Sequence, residues 1–317
     1  MTVQILHAID SSNCIHYIHN SIFERSKQNL NPIDSNISLD YIRNRIELEY
    51  SKVVLEEAVF FTCSLKSEVK AGAIFGFSID EITKANDIHI VEVFGDYDTR
   101  WFAKELWQQV IESAKRTNST TIVIELSLNN EKDMRLRRLL MEYGMTVHHY
   151  VLRREISNNH DKTQSDNIRF TDDNHQKFAI DCLIKGFINT YGTYVNDNII
   201  REYVLDYYTP LNKDVRFSAI GFNMDGEPKV HGMFVIVDSR IQNCKEIRLV
   251  DIFVPEERQS GWSTRMWTYI EQLSSNYGIQ RAEATLFGNV NLQTSKLVAN
   301  LHSSGWTVDR VNLHFYL

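Results

Sequence analysis

The sequence is poor in cysteine and has no long apolar run. Cys14, Cys63, Cys182 and Cys244 lie far apart with no CxxC pair, which argues against a zinc ribbon or a disulfide framework. No stretch approaches the ~20 apolar residues that a transmembrane helix needs. The first residues, MTVQILHAIDSSNC, lack the basic and apolar regions of a signal peptide. These absences predict a cytoplasmic protein with reduced cysteines and no membrane partner.

The sequence also lacks an excess of positive charge. Its net charge is −7, whereas a protein that neutralises nucleic-acid phosphates needs clustered lysine and arginine. We therefore expect no nucleic-acid partner, and an acidic surface favours cationic acceptors. We expect no metal site either, because His16 and His19 stand at i, i+3 on a predicted helix without an evident third ligand nearby.

The length and one polar stretch predict two domains. A chain of 317 residues with 43% hydrophobic content has ample core for two. The longest polar stretch, ISNNHDKTQSDN, has the composition of a linker. The predicted division is a first domain over residues 1–156, a linker over 157–167 and a second domain over 168–317.

The two halves repeat one another. Each predicts the element order β-α-α-β-β-β-α-β-α-β from its periodicity and turn residues. Three short matches occur in the same order, with residue numbers that differ by 159, 160 and 161. The matches pair Val91–Phe94 with Val250–Phe253, Trp107 with Trp267, and Tyr143–Val147 with Ser304–Val308. We interpret the chain as a duplication.

The stretch IRLVDIFVPEERQSGWSTRMWTYIEQL carries the strongest functional signal. Ile247–Val254 is a β-branched, apolar run typical of a buried strand, and Thr264–Leu273 has the period of an amphipathic helix. Pro255 ends the strand, and the turn that follows contains Gly261. A glycine turn that enters a helix exposes backbone N–H groups at the positive end of the helix dipole, which predicts an anion site.

Arg258-x-x-Gly261-x-Ser263 resembles the pyrophosphate-binding loop of the GNAT acyltransferase superfamily, Gln/Arg-x-x-Gly-x-Gly/Ala, and departs from it at Ser263. An ordinary strand-to-helix turn fits the same residues. The resemblance implies an α/β (α+β) fold of two tandem GNAT-like domains, each with a mixed central sheet flanked by helices. It also implies acetyl-CoA or another acyl-CoA as co-substrate. The residues implied in its binding are Phe253, Val254, Arg258, Gln259, Ser260, Gly261, Trp262, Ser263, Asn289 and Asn291.

Asp251 is the candidate general base. Strand alternation places it on the same face as Ile247, Leu249 and Phe253, where burial raises a carboxyl pKa towards neutrality. A structural role remains the alternative, because Glu92 stands at the matching place in the first half. Weaker candidates for the base are Glu246, His231 and His314.

The acid and the acceptor site are less well marked. In the superfamily a tyrosine four residues before the Gly-Phe that ends the last helix often serves as the general acid. Here Gly305-Trp306 stands for Gly-Phe and the tyrosine position is Leu301, which leaves His302, Ser303 or water to protonate the thiolate. Tyr191 and Tyr194 flank Gly192 between two predicted helices, where the resemblance implies acceptor contacts. A helix C-cap with packed tyrosines fits that loop equally well.

The first half lacks a usable phosphate loop. Asp96 and Asp98 put negative charge where a pyrophosphate would lie, and Trp101 falls near the place of the glycine. We therefore expect a degenerate first domain and a catalytic second domain. The leading hypothesis is an acyl-CoA-dependent N-acyltransferase acting on a primary amine of a small molecule or peptide. The alternatives are a non-catalytic CoA-binding or interaction protein and a longer-chain acyltransferase for a peptide or natural product.

Overall fold

The computed structural model describes most of the chain. The described residues are 2–6, 19–20, 22–24, 38–50, 57–63, 68–156, 167–192, 195–239, 244–255, 261–288 and 296–317. Their strands are β1 Thr2–Leu6, β2 Glu57–Cys63, β3 Glu68–Ile79, β4 Asn86–Gly95, β5 Thr121–Ser127, β6 Thr146–Glu155, β7 Ile168–Phe170, β8 Arg216–Phe222, β9 Pro228–Ser239, β10 Cys244–Phe253, β11 Ile279–Phe287 and β12 Thr307–Tyr316. Their α-helices are α1 Leu39–Tyr50, α2 Arg100–Thr117, α3 Glu131–Glu142, α4 Gln176–Tyr191, α5 Asp197–Tyr208, α6 Trp262–Asn276 and α7 Lys296–Ser303.

Local sequence signals set many of these boundaries. Thr99 caps α2 by accepting a hydrogen bond from the Phe102 N–H at 3.2 Å, and Asn130 caps α3 in the same way from Lys132 N–H at 2.9 Å. The helices α3 and α7 are each followed by a glycine with positive φ, Gly144 at 98° and Gly305 at 83°. The predicted element order of the second half is confirmed, although α6 begins two residues before the predicted Thr264.

The chain divides into two compact units. The first comprises residues up to Val151 together with Val308–Leu317, and the second consists mainly of Leu152–Ser239 and Cys244–Thr307. This partition departs from the contiguous division at residues 156 and 168. Strand β12, which the repeat assigns to the second half, pairs antiparallel with β5 from Arg310 opposite Ser127 to Tyr316 opposite Thr121. The end of β6 belongs to the second unit, where Ile156 N–H donates to the Gln280 carbonyl at 2.9 Å.

The first unit buries its core between the sheet and α2. Strands β1 to β4 pair antiparallel in sequence order, and β4 pairs parallel with β5. The apolar face of α2 has a helical period and is buried through Phe102, Leu106 and Val110. Each such side chain contributes ~1.5–3 kcal/mol relative to an exposed position. The ring of Trp107 stands edge-on to Phe315 at 4.9 Å, which ties α2 to β12.

The second unit has the same plan. Strands β7 to β10 pair antiparallel in order, and β10 pairs parallel with β11. Helix α6 lies so close to β9 that a Cβ atom at Gly232 would stand 2.8 Å from the Met266 side chain. Close approach of this kind needs glycine. Helices α4 and α5 pack against each other, and the buried side chains of α4 include Leu183 and Ile184.

The two units share an irregularity in strand register at equivalent positions. In β4 the register shifts so that Ile90 faces Phe75 and Glu92 faces Ile74, which leaves Val91 as an extra residue. In β10 Leu249 faces Phe234 and Asp251 faces Met233, which leaves Val250 as the extra residue. These are β-bulges. Val91 and Val250 open the first sequence match, so the bulges fall at the same place in both halves and support the duplication.

Within the described residues, no helix is long and apolar enough to cross a membrane. In the same part of the chain, no group of three or more histidine, cysteine, aspartate or glutamate side chains is arranged to hold a metal ion.

Candidate functional site

The site candidate in the second unit lies where two parallel strands stop pairing. The ladder between β10 and β11 ends at Arg248 opposite Glu283, although β10 continues to Phe253 and β11 to Phe287. Arg248 and Glu283 form an ion pair at 3.4 Å, which marks the last joined level. Beyond it, no further pairing joins the two strands within the described residues.

The bulge decides which way Asp251 points. Met233 and Phe234 are neighbours on β9 and therefore face opposite sides of the sheet. Asp251 lies opposite Met233 and Leu249 lies opposite Phe234, so these two residues of β10 are on opposite faces. The prediction that Asp251 shares a face with Leu249 is wrong, because simple alternation does not allow for an extra residue. The predicted shared face with Phe253 holds.

Asp251 is placed against α4 with little room to spare. A Cβ atom at Gly186 would overlap the Oδ2 atom of Asp251 and would stand 3.3 Å from Oδ1. The Oδ2 atom is fully buried and has no hydrogen-bond partner among the described residues. Burial raises the pKa of this carboxyl to about 7, while a hydrogen bond from the Ile252 N–H acts in the opposite direction. The side chain is therefore a carboxylate that gains or loses a proton near neutrality.

The negative charge of Asp251 also affects the pKa of a buried thiol on α4. Burial, and secondly the negative charge of Asp251, raise the pKa of Cys182 to about 12. Cys182 precedes Gly186 by one helical turn, so both residues lie on the face of α4 that meets β10. Cys182 stays protonated in this setting and is not a nucleophile.

The other wall of the site comes from β11. By alternation from Glu283, Phe287 points to the same side of the sheet as Asp251. Its ring meets Tyr191 of α4 edge-on, with centroids 5.5 Å apart. Gly192 ends α4, and its N–H donates to the Ile188 carbonyl at 2.8 Å. Tyr191 is thus both a packed residue beside a helix end and a wall of the splayed edge, whereas Tyr194 lies outside the described residues.

The described part of the predicted phosphate turn, residues 261–263, lies on the opposite face of the sheet. Trp262, the first residue of α6, is buried, and its ring would stand 3.1 Å from a Cβ atom at Gly221. Gly261 has φ of 97° and open space around the position of a Cβ atom. Ser263 is exposed beside it, and the guanidinium of Arg265 covers the Trp262 ring at 4.9 Å. Among the described residues, none comes within 4 Å of a Cβ atom placed at Gly261, which stands at the positive end of α6, where anions bind in other proteins.

Several predicted contacts fall outside the described residues. These are Arg258, Gln259, Ser260, Asn289 and Asn291. Phe253 and Val254 are described, and both are half-buried at the end of β10. The structure brings Asp251, Phe253 and Val254 to one strand end and Gly261, Trp262 and Ser263 to the start of the next helix.

Comparison with known structures identifies the architecture. A GCN5-related N-acetyltransferase of Sphaerobacter thermophilus aligns over 99% of this chain and 95% of its own, with 10% identity and a TM-score of 0.55. The glucosamine N-acetyltransferase region of a fungal multi-domain β-N-acetylglucosaminidase aligns over 99% of this chain and 38% of its own, with 10% identity and a TM-score of 0.58. A tandem GNAT protein from the clavulanic acid biosynthesis pathway aligns over 99% and 98%, with 8% identity and a TM-score of 0.50.

This chain has the tandem GNAT fold. No protein-family model and no curated protein matches its sequence. At such low identities the likeness concerns the fold, and the chemistry has to be argued from the residues of each GNAT unit.

The first GNAT unit has the same strand arrangement with its edge closed. Pairing of β4 with β5 stops at Ile90 opposite Ile124, as in the second unit. Here the buried Asp133 of α3 accepts one hydrogen bond from the Tyr97 hydroxyl at 2.6 Å and another from the Ser127 N–H at 2.9 Å. Tyr97 follows β4 and Ser127 ends β5. The three groups therefore join the strand ends across the gap.

The charges that the sequence places after β4 are partly neutralised. Lys132 donates to the Gly95 carbonyl at 3.1 Å and lies 3.8 Å from Asp96. Asp98 pairs with Arg135 at 3.1 Å. The obstacle to a pyrophosphate here is thus the Tyr97–Asp133 closure more than the net charge of the turn. Sequence reasoning missed this closure, and the aspartate at the third position of α3 was its only signal.

The weaker candidates for the general base either bind other side chains or lie away from Asp251. Glu246 is buried and lies 3.5 Å from the buried guanidinium of Arg281. His231 is fully buried, which lowers its pKa to about 3, and it shares a hydrogen bond with Ser218 at 2.9 Å. His314 belongs to the first unit and stacks on His148 at 3.9 Å. None of the three lies on β10 or β11 beyond Arg248 and Glu283, where the two strands separate.

The expected place of the acid carries no acid. Leu301 is half-buried on α7, and its carbonyl accepts a hydrogen bond from the Trp306 N–H at 3.0 Å. His302 and Ser303 are exposed. Gly186 and Phe287 are site features that the sequence analysis did not interpret, although a glycine inside a helix costs ~1 kcal/mol relative to alanine and thereby signals a close contact.

Proposed function

We propose that the second GNAT unit transfers an acyl group from an acyl-CoA, acetyl-CoA as the default donor, to a primary amine. The observation that carries the proposal is the position and state of Asp251. A carboxylate with a pKa of about 7 stands at the open edge between β10 and β11, with Oδ2 buried and without a partner among the described residues. Such a group is matched to proton transfer at neutral pH.

The residues at the strand end and helix start fit the co-substrate. We assign the pyrophosphate to the N–H groups at the start of α6, where the space around Gly261 is open. The assignment extends to Arg258, Gln259, Ser260 and Ser263 through the loop resemblance. We assign the pantetheine arm to the main chain of Phe253 and Val254, with Asn289 and Asn291 as further amide partners. The start of α6 and Asp251 lie on opposite faces of the sheet, so the open edge is the passage between them.

A bound acyl-CoA supplies the acyl group as a thioester. In our proposal Asp251 takes a proton from the incoming ammonium, directly or through water, so that the neutral amine attacks. The carboxyl stays close to neutrality because Gly186 lets α4 shield it from solvent. No residue is assigned as general acid, because a CoA thiolate is a good leaving group and Leu301 has no proton to give.

A second candidate function is a CoA-binding protein without turnover. Leu301 at the position of the usual tyrosine favours it. The two functions differ in one measurement, the release of free thiol from acetyl-CoA in the presence of a panel of primary amines.

The test begins with calorimetric titration of acetyl-CoA, and of octanoyl-CoA in parallel, into the intact chain. We expect one equivalent to bind, and a Gly261→Glu variant to lose binding because it places a negative charge at the anion site. Gly278→Glu is the matched control, since Gly278 ends the turn after α6 with φ of 65° and open space around it. Equal loss of binding in both variants, or no binding by the wild type, would overturn the proposal. Preference for octanoyl-CoA would assign a longer acyl chain.

A further inference from the structure

A continuous row of aromatic rings begins at the open edge of the second unit. We call Phe287, Tyr191, Phe187, Tyr203 and Tyr207 the aromatic row. Its centroid distances are 5.5 Å between Phe287 and Tyr191, 5.9 Å between Tyr191 and Phe187, 6.1 Å between Phe187 and Tyr203, and 5.5 Å between Tyr203 and Tyr207. All four distances lie in the range of favourable ring pairs.

The inner end of the aromatic row lies beside Asp251. Helix α4 touches β10 through Gly186 and touches β11 through Tyr191, on the face of the sheet to which Asp251 and Phe287 both point. Phe187 directly follows Gly186 in the same helix turn. The Asp251 carboxylate and the rings of Tyr191 and Phe287 therefore lie along the same stretch of α4, on one face of the sheet, and Phe187 continues the row from Tyr191.

The outer end of the row is held by a cation that is already engaged. The guanidinium of Arg216 lies over Tyr207 at 5.6 Å and over the buried Tyr208 at 5.1 Å. It donates to the Tyr207 carbonyl at 2.9 Å and to the Pro210 carbonyl at 2.8 Å. The positive charge of Arg216 is thus used in contacts with the carbonyl groups and rings at the end of α5. The inner rings Phe187, Tyr191 and Phe287 are half-buried and keep some exposed surface.

Ring faces and a single carboxylate select a particular kind of amine. Aromatic faces attract a flat apolar body by stacking and an ammonium group by its charge. The carboxylate attracts the same ammonium and accepts its proton. A polyol or amino-sugar body would lose hydrogen bonds to water against such walls without replacing them.

We propose that the acceptor is a primary amine that carries an aromatic ring on a short alkyl chain. The inference rests on the acyltransferase function proposed above and names its substrate class. In the reaction the amine nitrogen forms a bond to the acyl carbon and the carbon–sulfur bond breaks. The ammonium first gives one proton to Asp251, which releases it to solvent. After the attack the nitrogen loses a second proton to Asp251, which passes it to the CoA thiolate, so the products are an N-acyl arylalkylamine, free CoA and one proton.

The first experiment compares amines that differ in one property. Thiol release from acetyl-CoA is measured with 2-phenylethylamine, with 2-cyclohexylethylamine as its non-aromatic match, and with ethanolamine and glucosamine as polar amines. We expect kcat/KM for 2-phenylethylamine to exceed that for 2-cyclohexylethylamine about threefold to tenfold, and that for the polar amines by more. Calorimetric titration of acetyl-CoA alone accompanies each assay.

The second experiment removes single rings. Tyr191→Leu and Phe287→Leu should each lower kcat/KM for 2-phenylethylamine about tenfold and bring it level with the cyclohexyl amine. Tyr191→Phe keeps the ring and should retain the preference. Tyr277→Leu is the matched control, because Tyr277 is a 42% exposed ring in the same unit that contacts Phe217 instead of the row.

The outcomes separate this inference from the function on which it rests. Turnover that favours ethanolamine or glucosamine, with normal binding of acetyl-CoA, overturns the substrate class and leaves the acyltransferase function standing. A preference for 2-phenylethylamine that survives both leucine variants overturns the role of the row. Absence of both binding and thiol release overturns the function, and the substrate class with it.

Discussion

Asp133 and Asp251 are both aspartates with buried oxygens, placed where a pair of parallel strands stops pairing, yet their surroundings are opposite. Asp133 accepts hydrogen bonds from Tyr97 and Ser127 and closes the edge between β4 and β5. Asp251 has a buried oxygen with no partner among the described residues, beside a glycine that leaves room for it. A satisfied carboxylate stabilises structure, whereas a desolvated one is held in a state useful for proton transfer.

The comparison teaches that the two units share a backbone plan but differ in the side chains at the edge where the parallel strands separate. Both units keep the bulge, at Val91 and at Val250, and parallel pairing stops just before it, at Ile90 in the first unit and at Arg248 in the second. One edge is filled by side chains of its own unit, while the other is lined by Asp251, Phe287 and α4. That the first unit is the degenerate copy stays a prediction from its turn sequence.

The largest expected effect comes from cutting the chain at the sequence repeat. A fragment of residues 168–317 lacks Arg154, which pairs with the buried Glu271 at 2.6 Å, and Glu155, which pairs with the buried Arg281 at 3.2 Å. Arg281 keeps its contact with Glu246 at 3.5 Å in the fragment, so the larger electrostatic loss is at Glu271, where breaking a buried ion pair costs ~3–5 kcal/mol. The fragment also lacks β5, the partner strand of β12, and the combined loss approaches the ~5–15 kcal/mol stability of a typical domain. We expect no cooperative thermal transition by circular dichroism. A fragment that melts cooperatively would contradict this.

The next largest effect is on catalysis, and it distinguishes Asp251 of the second unit from Glu92, its counterpart in the first. Asp251→Asn should lower kcat about 10²- to 10⁴-fold, because it removes the general base. Glu92→Gln, at the matching position of the first unit, is the control and should leave kcat unchanged. The measurement is initial-rate thiol release with saturating acetyl-CoA, after both variants are shown to melt like the wild type. Equal losses in the two variants would remove the assigned asymmetry.

Removing the closure of the first unit should affect stability alone. Asp133→Ala leaves the Tyr97 hydroxyl and the Ser127 N–H without their acceptor, so we expect a loss of about 3–5 kcal/mol in the free energy of unfolding. Asp98→Ala, which breaks only the half-exposed pair with Arg135, should cost at most ~1 kcal/mol. Urea titration of both variants checks the difference. A similar loss of unfolding free energy in both variants would show that the hydrogen bonds to Asp133 contribute no more than a surface ion pair.

The smallest effect is a pH dependence of stability. The folded-state pKa of Asp251 is raised from 3.8 to about 7, so the folded chain binds more protons than the unfolded chain between these values. The stabilisation is full below pH 3.8 and is lost as the pH rises through 7. Asp251→Asn stays neutral and should gain about 2–4 kcal/mol over the wild type between pH 4 and pH 8.

Denaturant titrations at the two pH values measure that gain. Asp206→Asn is the control for a surface aspartate, because Asp206 is exposed on α5. A gain that does not depend on pH, or one of the opposite sign, would contradict the burial of an unpaired carboxylate at position 251.

Much of the fold was predictable from local patterns. The tandem repeat, the order of elements in the second half, the strand before Pro255 and the helix after Gly261 all follow from periodicity, turn residues and spacing. The exceptions have physical causes. Alternation assigned Asp251 to the wrong face relative to Leu249, because a bulge inserts one residue without a reliable local signature.

By itself the sequence indicated the candidate site residues, namely an aspartate in an apolar strand and a glycine turn at a helix start. The tertiary structure decided their state. The packing of α4 at Gly186 against Asp251 contributes to the burial of that carboxyl, and the hydrogen bonds of Tyr97 and Ser127 to Asp133 join the strand ends at the other edge. The pairing of β12 with β5 was likewise beyond local reasoning, since hydrogen bonds between strands far apart in sequence depend on which edge is free when the chain folds.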